Sequence, residues 1–149
     1  MDRFALRFSL GYVSPEEEVR ILSDRLENNP IDTIQPCIDL NDAIALKAQT
    51  RKVRISESIK RYVVDIVNAT HSAAGIQLGA SPRASLALMK VAQALALFDG
   101  YEFVTPEHIQ ELAVPAIAHR LIIDPQARFS GVTAENIVEE IINSVPVPA

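Results

Sequence analysis

Tryptophan is absent from this chain of 149 residues, and aromatic residues make up only 5% of it. A core must therefore be built mainly from alanine, leucine, isoleucine and valine, which favours packed helices over a β-sandwich or barrel. Cys37 is the only cysteine, which excludes an internal disulfide and a cysteine metal site and fits a reducing compartment.

Long apolar runs are missing too. No stretch approaches the roughly 18 apolar residues that indicate a membrane span. Met1 is followed by Asp2 and Arg3 rather than by an apolar segment, so no signal peptide is predicted. We therefore expect a cytoplasmic location.

The motifs of several enzyme classes are also lacking. The sequence contains no Gly-x-x-x-x-Gly-Lys-Ser/Thr phosphate loop, no apolar strand ending in paired acids that could hold magnesium, and no Gly-x-Ser-x-Gly elbow. None of the histidines has metal-ligand spacing with carboxylates or with Cys37; these are His71, His108 and His119. We expect no metal site and no ATP hydrolysis by this chain alone.

Positive charge is in deficit overall, with a formal net charge of −5, which argues against general affinity for nucleic acids. Around Glu57, however, lies a basic cluster formed by Arg51, Lys52, Arg54, Lys60 and Arg61. The cluster is either a solvated junction between helices or a docking surface for an acidic neighbour or nucleic acid. Because Tyr62 is the only aromatic residue interleaved with it, nucleic acid is the less expected partner.

Hydrophobic spacing predicts helices through most of the chain. They are expected to begin near Ser14, Asp39, Ser56, Pro82, Thr105 and Thr133. The third helix has the clearest core stripe, which consists of Ile59, Tyr62, Val63, Ile66 and Val67. Pro115 is expected to kink the fifth helix or to end it early.

Residues Arg3 to Tyr12 alternate between apolar and other side chains, the period of a half-buried strand. A lone strand has no partner for its backbone groups. We therefore expect that the chain begins within a domain. The strand is predicted to pair with another copy or with extended segments near Val53 or Tyr101.

The stretch Gly79-Ala80-Ser81-Pro82-Arg83 opens the most apolar helix. Ser81 is predicted to be its N-cap and Pro82 its first residue. A helix N-terminus attracts anions, so a cation at Arg83 is unfavourable there by about 0.3–1 kcal/mol. This placement suggests a bound anion. On spacing alone, Arg83 could equally be an exposed arginine and Gly79 a turn residue.

The hexapeptide Gly-Ala-Ser-Pro-Arg-Ala at 79–84, followed by Ser85 to Leu88, resembles the sensor 2 motif of MoxR-type AAA+ ATPases. In that family the motif opens a helix of the small C-terminal lid, and its arginine reaches the terminal phosphates of ATP. The resemblance implies that Arg83 and Ser81 bind nucleotide. It also implies a mainly α fold: a small helical bundle, the AAA+ lid, with one short N-terminal β-strand left over from the ATPase core.

Asp2-Arg3-Phe4 resembles the Leu-Asp-Arg-Phe that precedes the last core strand in the same family. The implied domains are residues 1–13, a remnant of the core, and residues 14–149, the lid. In related AAA+ clades an arginine at the place of Arg3 is the arginine finger, which acts on the ATP of a neighbouring subunit. On the residues alone, Arg3 is a charged residue at a chain end. Relatives often have arginine where this chain has His71.

For the full-length protein the resemblance implies ATP and Mg²⁺ as cofactors, assembly into a ring that is usually a hexamer, and chaperone-like remodelling of other proteins. It also implies partners of the von Willebrand factor A type. Neither ATP nor Mg²⁺ is expected to bind tightly to this chain alone. Whether Arg83 would serve the nucleotide of its own subunit or of a neighbour is open. The alternative function is a free-standing helical adaptor that binds protein or nucleic acid through the basic cluster.

Overall fold

The structure is a computed structural model that describes residues 4–27 and 29–148. The described chain is mainly α-helical, as its composition predicts. The helices are α1 (Pro15–Glu27), α2 (Leu40–Thr50), α3 (Glu57–Ala69), α4 (Pro82–Phe98), α5 (Pro106–Ile117), α6 (Pro125–Phe129) and α7 (Ala134–Ser144). Two short strands are β1 (Ile76–Leu78) and β2 (Ile122–Ile123), and short 3-10 turns lie at Pro30–Thr33 and Ala118–Arg120.

The chain divides into two compact units, residues 8–46 and residues 4–7 with 47–148. The boundary predicted between residues 13 and 14 stays a prediction. In the smaller unit, α1 begins near Ser14 as predicted, with a capping box: the Ser14 N–H donates to Glu17 Oε2 at 2.9 Å, and the Glu17 N–H donates to Ser14 Oγ at 3.2 Å. Hydrogen bonding to the Glu17 carboxyl by Ser14, chiefly by its backbone N–H and then by its side chain, lowers the pKa of this carboxyl.

The larger unit contains one hydrophobic core. Helix α4 packs on α3 and α5, and α5 also packs on α7. The predicted stripe of α3 is confirmed, since all five of its residues are buried. The Ser56 hydroxyl caps this helix as expected and accepts the Ile59 N–H at 3.2 Å. In α7 the buried residues are Ile137, Val138 and Ile141.

Helix α4 begins at Pro82, as predicted, and is buried along one side only. Its fully buried residues recur every fourth position and form one stripe; they are Ala84, Leu88, Ala92 and Ala96. Three of the four are alanines, which allows neighbouring helices to lie close to the backbone. Leu86 and Phe98 are 54% and 75% exposed, so apolar side chains also lie on the surface side of this helix.

A small antiparallel sheet was not predicted. Strands β1 and β2 pair with Ile76 opposite Ile123 and Leu78 opposite Ile122, with an irregularity between the two pairs. Strands of two or three residues are too short for periodicity in the sequence to detect. The sheet brings the segment just before α4 against the segment that follows α5.

The predicted N-terminal strand is absent from the part of the chain that the structure describes. Residues 4–13 have no strand assignment, and Phe8, Leu10 and Tyr12 are 67%, 101% and 105% exposed. The extended segments expected to pair with it bond to each other: the Arg54 N–H donates to the Glu102 carbonyl and the Val104 N–H to the Arg54 carbonyl, each at 2.9 Å. Without those partners a strand cannot satisfy its backbone groups. Pairing with another copy stays a prediction.

Helix α5 continues past Pro115 to Ile117, where the 3-10 turn Ala118–Arg120 follows. The helix therefore ends two residues after Pro115. The buried Arg120 side chain fixes this end through its Nε–H, which donates to the Ala116 carbonyl at 2.7 Å. Within residues 4–27 and 29–148, no helix combines the length and apolar character that crossing a bilayer requires.

Candidate functional site

The candidate site is the N-terminus of α4. Ser81 is the N-cap, with φ −80° and ψ 165°, and Pro82 is the first helical residue, both as predicted. The expected capping hydrogen bond of the Ser81 hydroxyl is not formed. Instead, the Ala84 N–H, one of the two amides that such a cap would satisfy, donates to the Ser81 carbonyl at 2.8 Å. The start of this helix is therefore stabilised by backbone contacts rather than by the Ser81 side chain.

Arg83 lies in the first turn of α4, and its side chain is exposed. A guanidinium buried in the core could not meet a ligand. Exposure leaves it at the surface, next to the positive end of a helix of 17 residues. Among the residues that the structure describes, this first turn holds no acidic side chain. The geometry suits an anion, with Arg83 as the full charge and the helix terminus as the partial one.

The residue before the N-cap is held from outside the helix. The Ala80 N–H donates to Thr70 Oγ1 at 2.9 Å, and the Ala80 carbonyl lies 2.7 Å from His71 Nε2. Thr70 is fully buried, and its hydroxyl in turn donates to the Val67 carbonyl at 2.6 Å. We call Thr70, His71, Gly79 and Ala80 the Ala80 anchor. It ties the start of α4 to the end of α3.

Gly79 completes the Ala80 anchor by its lack of a side chain. A Cβ at this position would lie 2.4 Å from His71 Cδ2 and 2.9 Å from Thr70 Oγ1, distances that real side chains do not adopt. The sequence interpretation of Gly79 as a turn residue missed this close approach. The roles of Thr70 and His71 were missed as well. Nothing in their spacing, nine or ten residues before Ala80, marks them as its partners.

The remaining predicted residues give a mixed outcome. Arg3 lies outside the described residues. Within the described ranges no group of His, Cys, Asp or Glu side chains is arranged to hold a metal ion. The other two histidines contact protein atoms: His108 Nε2 lies 3.3 Å from Asp99 Oδ2, and His119 Nε2 lies 3.2 Å from the Phe4 carbonyl. Both histidines therefore make contacts within the protein.

The basic cluster forms a separate surface. Lys60 pairs with Glu57 at 2.6 Å and Arg61 with Asp65 at 3.2 Å. The other members are exposed and form no ion pair among residues 4–27 and 29–148; they are Arg51, Lys52 and Arg54. Tyr62 is 2% exposed and cannot stack on a ligand.

Two aromatic rings lie beside Arg54 instead. The backbone bonds that join Arg54 to Glu102 and Val104 bring Tyr101 and Phe103 to this surface. Their rings meet edge to face with centroids 6.1 Å apart and are 47% and 48% exposed. Because about fifty residues separate these rings from Arg54, no local sequence pattern predicts this arrangement.

Comparison with known proteins places the site inside a described domain. Residues 68–141 match the family model described as the AAA lid domain, and this range includes the whole Ala80 anchor and Arg83. The chain is 44% identical over 148 residues to the uncharacterized protein YeaC of Bacillus subtilis, covering 99% of this chain and 46% of YeaC. It is 29% identical over 156 residues to chaperone MoxR1 of Mycobacterium tuberculosis, covering 99% of this chain and 41% of MoxR1.

A solved structure is also similar. The crystal structure of a presumed ATPase from Cytophaga hutchinsonii superposes with a TM-score of 0.85 at 31% identity, over 99% of this chain and 48% of that one. The chain thus spans less than half the length of these relatives.

Proposed function

The chain carries the AAA lid domain of a MoxR-type AAA+ ATPase, and from this premise we propose that it couples the nucleotide state of a full-length ATPase to remodelling of partner proteins. Arg83 is the sensor 2 residue that contacts the terminal phosphates of ATP, with Ser81 beside it. The observation that carries this proposal is the position of Arg83: exposed, in the first turn of α4, on a helix whose opposite face is in the core.

Phosphate is the ligand that this position suits. Arg83 supplies a fork of N–H donors that matches phosphate oxygens, and the helix terminus adds a partial positive charge. The role needs little movement of the arginine itself, because α4 is fixed by a stripe of fully buried residues. A shift of phosphate position can then move the lid as one body, which is how a sensor would transmit nucleotide state.

ATP and Mg²⁺ belong, in this proposal, to the full-length protein. Bound ATP supplies the phosphoanhydride bond that is broken. Arg83 and Ser81 would contact the phosphate end of the nucleotide, whereas the described residues hold no cluster suited to Mg²⁺. The metal ligands and the phosphate loop would therefore come from another part of the protein.

We further propose that full-length subunits assemble into a ring, a hexamer as is usual in the family, in the cytoplasm. Arg3 would act there as an arginine finger on the ATP of the adjacent subunit, where such a charge is worth about 10³–10⁵ in rate. Partners of the von Willebrand factor A type are the expected binding proteins. The similarity to MoxR1, whose name describes a chaperone, supports the chaperone-like part of this proposal.

Arg83→Ala in the full-length protein tests the sensor role. Loss of one charge that stabilises the transition state should lower kcat for ATP hydrolysis by about tenfold or more. Lys90→Ala is the matched control, because Lys90 is an exposed cation on the same helix two turns further on. Hydrolysis is measured as released phosphate at saturating ATP, with circular dichroism to check the fold. Equal rates for the two variants would contradict the proposal.

A second candidate function is favoured by the surface around Arg54. Three exposed cations that form no ion pair with any described residue, and two half-exposed aromatic rings, suit an acidic partner, as the adaptor alternative requires. Its test is the triple reversal R51E/K52E/R54E against the control K60E/R61E, which reverses cations that are already paired. If the surface binds a partner, only the triple variant should lose capture of an acidic, aromatic-containing peptide.

A further inference from the structure

The Ala80 anchor fixes one peptide group from both sides. Thr70 Oγ1 accepts the Ala80 N–H, while the Ala80 carbonyl faces His71 Nε2 at 2.7 Å. A carbonyl oxygen only accepts hydrogen bonds, so Nε2 must carry the hydrogen and donate. His71, which lies just after the end of α3, therefore donates through its imidazole to the Ala80 carbonyl, immediately before the candidate site.

This contact replaces the cap that α4 lacks. The Ser81 hydroxyl makes no capping hydrogen bond, so the side chain of the N-cap residue does not determine where the first turn begins. Ala80 immediately precedes the N-cap, and Arg83 lies three residues beyond Ala80. The orientation of the Ala80 carbonyl thus determines the path of the chain into the turn that carries Arg83.

The fit at Gly79 leaves little freedom for this arrangement to shift. The Gly79 Cα approaches His71 so closely that even a methyl group would meet its Cδ2 and Cα, at 2.4 Å and 3.0 Å. The imidazole is thus held between the Ala80 carbonyl on one side and the Gly79 backbone on the other. A movement of the ring would move the residues that lead into α4.

We propose that His71 is a positioning residue for Arg83, holding the first turn of α4 so that the guanidinium meets the terminal phosphates. The inference rests on the proposed function, since it assigns His71 a part in the same site. His71 does not touch the nucleotide; it acts through Ala80 and the helix start. Loss of the donor should therefore lower the rate of hydrolysis only through what Arg83 contributes.

The test is a double-mutant cycle on ATP hydrolysis by the full-length protein, with His71→Leu, Arg83→Ala and both together. His71→Leu should lower kcat by about three- to tenfold, because a misplaced charge loses part of the stabilisation that its removal abolishes. In the Arg83→Ala background it should have no further effect, since residues that act through one group are not additive. His71→Gln, which keeps an N–H donor of similar reach, should restore kcat to within about twofold of the parent.

Gln93→Leu is the matched control. Gln93 also donates to a backbone carbonyl, that of Val53, at 2.7 Å, and it lies on the same helix ten residues after Arg83. If both leucine variants lower the free energy of unfolding but only His71→Leu lowers kcat, the effect on kcat arises from the position of Arg83. Hydrogen exchange at the Ala84 amide gives a second measurement, and it should quicken in His71→Leu and not in His71→Gln.

The outcomes separate the two proposals. An unchanged rate in Arg83→Ala overturns the proposed function itself. A lowered rate in Arg83→Ala, combined with an additive loss in the double variant or with a His71→Leu rate equal to that of Gln93→Leu, overturns the positioning role alone. Failure of His71→Gln to recover kcat while Ala84 exchange is restored would overturn it too.

Discussion

Gly79→Ala is expected to destabilise the chain through a steric contact rather than through backbone conformation. The added Cβ would lie 2.4 Å from His71 Cδ2, 2.9 Å from Thr70 Oγ1 and 3.0 Å from His71 Cα. The first distance is about 1 Å inside ordinary van der Waals contact. Gly79 is not among the glycines with positive φ, so alanine can adopt its backbone conformation.

The size of the effect follows from what holds the neighbours. The His71 ring cannot turn away without releasing the Ala80 carbonyl, which it holds at 2.7 Å. Overpacking of this kind costs about 1–3 kcal/mol, and a hydrogen bond lost through movement of the loop adds about 1 kcal/mol. We expect a loss of about 2–4 kcal/mol in the free energy of unfolding, or about 5–15 °C in Tm for a chain of this size.

Thermal unfolding of the chain, followed by circular dichroism, measures this loss. Gly100→Ala is the control, because Gly100 has φ +79° and an added Cβ would meet nothing within 4 Å. Its cost comes from the left-handed backbone alone, about 1–2 kcal/mol. Both substitutions are then repeated in a His71→Ala background, which removes the nearest obstacle. The cost of Gly79→Ala should fall there, whereas that of Gly100→Ala should stay the same.

Two results would refute this reasoning. One is a cost for Gly79→Ala below about 0.5 kcal/mol, the size of an ordinary surface substitution. The other is a cost that does not change when the imidazole is removed. Either would mean that the segment before α4 does not approach the end of α3 as closely as the structure describes, and the positioning role of His71 would lose its geometric basis.

Three further predictions concern other parts of the molecule. Leu88→Ala, at a fully buried site of α4, should cost about 3–5 kcal/mol in urea unfolding; Leu86→Ala, 54% exposed, should cost under half of that, and equal losses would contradict the assigned core face. Because hydrogen bonds from Ser14 lower the pKa of Glu17, the ionised cap stabilises α1 above the ordinary carboxyl pKa, and this stabilisation is lost as pH falls through the lowered value. Glu17→Gln should remove this acid-side loss of helicity. An unshifted NMR titration of the Glu17 carboxyl in the parent would contradict the prediction. The 149-residue chain alone should release no phosphate from ATP above the buffer rate, since it lacks a phosphate loop; turnover that survives repurification would contradict this.

Much of the helical fold could be predicted because its signals are local. The Ser14–Glu17 capping box, the Ser56 cap and the bounds of α4 at Pro82 and Phe98 all depend on residues within a few positions of each other. The stripe of α3 was predicted in full, since every one of its members repeats at helical spacing. The position of Arg83 in the first turn of α4 could be predicted for the same reason.

The errors arose where pairing, rather than pattern, decides the structure. Alternation in Phe4–Tyr12 predicted a strand, but a strand needs a partner that a sequence pattern does not supply, and Arg54 pairs with the segment at Phe103 instead. The sheet formed by β1 and β2 joins segments more than forty residues apart. Ser81 was correctly assigned to the N-cap, yet its hydroxyl is not used there.

The sequence by itself determined that the chain is mainly helical, where its longer helices lie and which turn carries Arg83, because propensity, capping and apolar spacing act over one or two helical turns. Only the tertiary structure decided that His71 and Thr70 hold Ala80, that Gly79 must lack a side chain, and that Tyr101 and Phe103 lie beside Arg54. The physical reason is that these contacts form between segments brought together by burial of the common core, and no local preference of either segment encodes its partner.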